Sequence, residues 1–170
     1  MRNDRIQGHR RHLLHIYLND HLAGAVGGGE LARRCLGSNR GTPLGTFLEG
    51  LLDDILEDRR TLEDVMARLD MAADRSKLLA VTVGERLARL KLNGQLFGYS
   101  DLSRVVELEA LCGGVALKRR LWRSLQHVRD VDARLADVDF VHLTERASAQ
   151  LDGLERHRLE AVARALAHDG

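Results

Sequence analysis

The run Gly37-Ser38-Asn39-Arg40-Gly41-Thr42-Pro43, followed by Leu44, Leu48, Leu51, Ile55, Leu62, Met66 and Leu69, decides the fold. Glycine, serine and asparagine crowd the first half of that run and make it the clearest turn in the chain. Thr42 then offers a side-chain oxygen as N-cap. Pro43 supplies a fixed φ at the first helical position, where no N–H is needed. From residue 44 to residue 69 an apolar side chain returns every three or four positions, the spacing of one buried helix face. Upstream, Leu14, Leu18, Leu22, Ala25, Ala32 and Leu36 predict a first helix over about residues 3–36. A connection this short makes the two helices antiparallel neighbours.

Working downstream, a shorter third helix is expected over residues 75–90, then a loop from Asn93 to Tyr99 that exposes Leu96 and Phe97. Ser100 or Asp101 caps the next helix, which runs through Val105, Leu108, Cys112, Val115 and Trp122 to about residue 128. Residues 129–141 are ambiguous, with room for one helical turn. The final helix, residues 143–168, repeats Leu143, Ala147, Leu154, Ala161 and Ala165. The expected fold is therefore all-α: a four-helix bundle of two antiparallel hairpins, joined by one long crossover that contains a fifth short helix. That is the ferritin-like arrangement rather than a simple up-down bundle. One domain spans residues 1–170, with residues 1–8 read as disordered.

Composition narrows the function. With 170 residues, 44% apolar and 30% charged, the chain reads as one soluble globular domain. Its 26 basic and 25 acidic side chains balance, and its aromatics are few, so nucleic acid is not an expected partner. Asp20 and His21 interrupt the only early apolar run, and no uncharged stretch of about 18 residues exists. No membrane association and a cytoplasmic location are expected. Cys35 and Cys112 match no metal or redox spacing and read as buried, reduced thiols. No nucleophile triad or phosphate loop is present in the sequence.

What remains informative is the set of polar groups inside the apolar stripes, since an unpaired buried charge is costly. Placing residues 100° apart puts His21, Asp58, Arg59, Glu109, Arg119, Gln150, His157 and Arg158 on or beside those stripes. Counting 1.5 Å per residue levels His21 with Asp58 across the first hairpin. The same count levels Arg119 with Gln150 and Glu109 with Arg158 across the second. The expectation is a buried layer of matched charges.

Phe47 to Met66 resembles the second helix of ferritin-like bundle proteins, and Gln150 to Arg158 is similar to their last helix. That resemblance implies a dinuclear metal site with carboxylates on two helices and Glu-x-x-His on the other two. The sequence contains no Glu-x-x-His; Glu57–Arg60 and Glu155–Arg158 stand at the nearest positions. A guanidinium cannot ligate a metal and repels one. The leading expectation is thus a bundle with no catalytic metal and no cofactor, acting as an interaction or structural module and self-associating as a homodimer. One alternative is a divergent iron or manganese protein using His21, Asp58, Glu109 and His157. Another is a small-molecule pocket at the glycine cluster Gly24, Gly27, Gly28 and Gly29, which is otherwise read as a site of close helix packing. His9, His12 and His15 recur at chelating spacing but read as a frayed, solvated terminus. Lys118 to Arg123 reads as a solvated basic face, with Arg119 turned inward.

Overall fold

Thr42 caps the second helix as its position requires. Its backbone is extended, and its hydroxyl accepts the N–H of Gly45 at 3.0 Å, with Pro43 in the first turn. The computed structural model describes residues 2–74 and 99–167, and within them every regular element is helical. Helix α1 spans Arg2–Ser38, α2 Pro43–Arg68, α3 Asp101–Arg129 and α4 Phe140–Leu166. Ser100 caps α3 and Asp139 caps α4. The ambiguous stretch between these two helices holds a single 3-10 turn, Ala133–Leu135. The expected third helix and the Leu96-Phe97 loop lie outside the described residues.

Side-chain pairs fix the helix directions. Gly29 of α1 faces Ile55 and Leu56 of α2, while Arg11 reaches the carbonyl oxygens of Leu69 and Asp70 beyond the far end of α2. Tyr17 bonds Ser124 and Arg34 bonds Glu107, so α1 and α3 are antiparallel. Gln150 bonds Asp54, while His157 packs on Phe47, so α2 and α4 are antiparallel too. With α3 and α4 forming the second hairpin, α2 and α3 run the same way.

Two buried asparagines anchor the chain against α1: Asn19 at its middle and Asn39 just past its C-terminal end. Asn39 donates to the Cys35 carbonyl at 2.7 Å and to the Tyr99 hydroxyl at 3.0 Å, and accepts from Arg104 at 2.8 Å. Its own carbonyl is packed so closely that a Cβ on Gly45 would sit 2.2 Å away, which is why that position is glycine. Asn19 accepts the N–H of Asp74 at 2.6 Å and donates to the carbonyl oxygens of His15 and Ala72. The chain therefore leaves the first hairpin beside Asn19 and re-enters beside Asn39, about 30 Å away along α1 at 1.5 Å per residue. These contacts correct the reading of His15 as part of a frayed, solvated terminus, whereas His9 and His12 are exposed. His15 lies 3.0 Å from the Ala72 carbonyl oxygen, and α1 is helical from Arg2.

The apolar stripes meet in one core. Leu18, Leu22, Ala32 and Cys35 from α1 pack with Leu48, Leu62 and Met66 from α2, and with Leu108, Trp122, Phe140 and Leu154 from the second hairpin. Burial pushes the Cys35 thiol up to about 12 and also raises that of half-buried Cys112, as for inert core thiols. Among the described residues no helix is long and apolar enough to cross a membrane.

Candidate functional site

Asp54 and Asp58 stand one turn apart on α2, and Arg146 and Gln150 one turn apart on α4. Lys118 reaches between them from α3. Asp58 is 3% exposed, and its two oxygens take different cations: Lys118 Nζ at 2.5 Å and Arg146 Nη2 at 2.5 Å. Lys118 also donates to Gln150 Oε1 at 2.6 Å, and Gln150 Nε2 donates to Asp54 Oδ2 at 2.8 Å. Arg146 completes the chain with Glu57 at 2.7 Å. Burial pushes the Lys118 ammonium below the usual lysine range, while Asp58 beside it works in the opposite direction.

Next to this network a cavity of about 290 Å³ opens between α1, α2 and α3. Its walls are mostly apolar, with Ile55, Leu62, Leu111, Val115, Leu121 and Trp122 among them. Its space comes from missing side chains. A Cβ on Gly24, Gly28 or Gly114 would meet nothing within 4 Å, although all three line the cavity. This corrects the close-packing reading of the cluster: of Gly24, Gly28 and Gly29, only Gly29 touches α2, at an ordinary 3.8 Å. The ionisable groups lining it are two carboxylates, Asp20 and Asp58, two cations, Arg59 and Lys118, and the His21 and Tyr17 side chains. Burial lowers the His21 pKa, partly offset by the nearby Asp20 carboxylate. Trp122 is 1% exposed, and its indole N–H has no hydrogen-bond partner.

The matched-charge layer is present but differently composed. Its interior cations are Lys118 and Arg146; Lys118 is not part of a solvated face, and Arg146 was not singled out from the sequence. Arg119 is half-buried and does not meet Gln150, whose amide is engaged by Lys118 and Asp54. Arg158 does contact Glu109, at 3.6 Å, but at the surface, since the Glu109 side chain is 55% exposed; its closer partner is Glu155 at 2.6 Å. Arg59 pairs with Glu63 at 2.9 Å rather than with Asp58. His21 does not bond Asp58; it packs edge-on to Tyr17 with ring centroids 4.6 Å apart. His157 lies against Phe47 and 3.4 Å from Glu160.

Of the four residues in the metal alternative, His21 and Asp58 share the cavity, while Glu109 and His157 lie elsewhere. Among the described residues no three His, Cys, Asp or Glu side chains gather as a metal would need. A complementary pattern was present in the sequence: two acidic positions one turn apart on one helix, and a cation and an amide one turn apart on another. No protein-family model, curated protein or solved structure matches this chain.

Proposed function

We propose that the protein is a small-molecule-binding helical bundle of ferritin-like helix order, taking a largely apolar ligand in the cavity beside Asp58 and Lys118. The observation that carries this reading is the cavity itself, opened by glycines on two helices and walled by apolar side chains. A volume near 290 Å³ is roughly twice that of an apolar cavity of about 150 Å³ able to hold benzene. The charges on its wall cancel, which favours a neutral molecule over an ion. Lys118, at the cavity wall, is the hydrogen-bond donor that would meet an acceptor atom on such a molecule. The helix order supports the ferritin-like comparison: all neighbouring pairs are antiparallel, while α2 and α3 are parallel.

Octan-1-ol titrated into the purified chain should raise its melting temperature in a saturable way. Gly114→Leu, which puts a side chain into open space at the cavity wall, should abolish that response while itself raising the melting temperature. A wild type indifferent to octanol and to a panel of similar neutral probes would reduce the cavity to a packing defect.

A further inference from the structure

We propose that Lys118 captures an aldehyde or ketone bearing an apolar tail, forming an imine at the cavity wall. This rests on the ligand-binding reading above and names the chemistry of that site. Three features combine there. Lys118 is the only lysine among the described residues, and a primary amine is the one nucleophile at this wall able to condense with a carbonyl. The pocket takes a neutral apolar body, which describes a medium-length carbonyl compound. Asp58 touches the amine and can carry a proton away and return it.

The chemistry balances without any added reagent. As an apolar ligand displaces water, the buried ammonium passes one proton to Asp58, the acceptor it touches, while Arg146 keeps Glu57 as its carboxylate partner. The free amine attacks the carbonyl carbon, and a carbinolamine forms as the carbonyl oxygen takes a proton from the nitrogen. Asp58 then protonates the departing hydroxyl, the C–O bond breaks, and water leaves. The product is an iminium with one N–H and one positive charge, facing the regenerated Asp58 carboxylate. Net charge at the site is the same at start and finish; while Asp58 holds the proton, Arg146 keeps its pair with Glu57, and the Asp58–Arg146 pair is restored with the iminium. Burial, which lowers the lysine pKa, acts in the direction this reaction needs.

The test is to incubate the full chain with octanal, reduce with borohydride and map the modified peptides. The expected result is one secondary amine at Lys118, formed at least about tenfold faster than in the urea-unfolded chain, since the pocket holds the carbonyl beside the amine. Gly114→Leu, which leaves the amine in place but fills the pocket, should return Lys118 to the unfolded rate. Lys118→Arg should carry no adduct at that position. Labelling confined to the N-terminus, Lys77 and Lys91 would overturn the proposal. Octan-1-ol separates the two levels of the argument. If it binds while octanal leaves Lys118 unmodified, the imine chemistry fails and the pocket stands; if neither acts, both fail.

Discussion

His21 illustrates what burial does to one side chain. It sits half-buried against Tyr17 at the cavity wall, and loss of solvent disfavours its charged form more than nearby Asp20 restores it. The folded-state pKa therefore lies below the unfolded value near 6.5. As pH falls through the unfolded value, the unfolded chain gains a proton that the folded one resists, so this residue costs stability on acidification. His21→Gln should lose less melting temperature than the wild type between about pH 7.5 and pH 5.5, the interval that brackets the unfolded value. An NMR titration of the wild type should place the imidazole midpoint below 6.5. A midpoint at or above that value would refute the burial argument.

At the scale of elements, the network through Asp58 is what ties α2, α3 and α4 together. Two charges bonded to one carboxylate offset its desolvation, but removing a single partner strands the other in a dry place. Asp58→Leu leaves the Lys118 ammonium with only Gln150 and should cost about 3–5 kcal/mol in urea unfolding. Adding Lys118→Met removes the stranded cation, and the double variant should recover at least about 1 kcal/mol of that loss. Simple additivity would mean that the two groups do not interact energetically. The cavity belongs to this scale as well. Glycine on α1 and α3 weakens each helix slightly, by about 1 kcal/mol per residue relative to alanine, so open space bought at that cost calls for a functional reason.

For the molecule as a whole, the antiparallel pairing of α1 with α3 is the decisive topological fact. It requires α2 and α3 to be parallel, and it puts the exit from the first hairpin and the entry to α3 at opposite ends. Arg34 and Glu107 report that pairing directly, at 2.9 Å. Arg34→Lys places an amine against the Glu107 carboxylate, and zero-length carbodiimide coupling should join positions 34 and 107, read by peptide mapping. A link from position 34 to Asp130, at the far end of α3, would reverse the helix direction and with it the bundle order.

Helix positions and caps were legible in the chain because they depend on neighbours in sequence. Thr42, Pro43 and Ser100 act within a turn of themselves, and the buried stripe from Leu44 to Leu69 follows from 3.6-residue periodicity. The general location of the polar layer was legible too, since Asp58 and Gln150 interrupt apolar faces. Which groups meet there was not. Lys118 and Arg119 differ by 100° on α3, and a lysine's long stem lets its head turn inward from the flank of a stripe. A rotation or rise of one residue in α3 or α4 exchanges the partners, and no local pattern fixes either. The amino-acid order by itself determined the helices, their caps and the apolar faces, because those energies act over a few residues. Only the tertiary structure decided that Lys118 and Arg146 share Asp58 and that the glycines open a cavity, because both depend on how separate helices settle against one another.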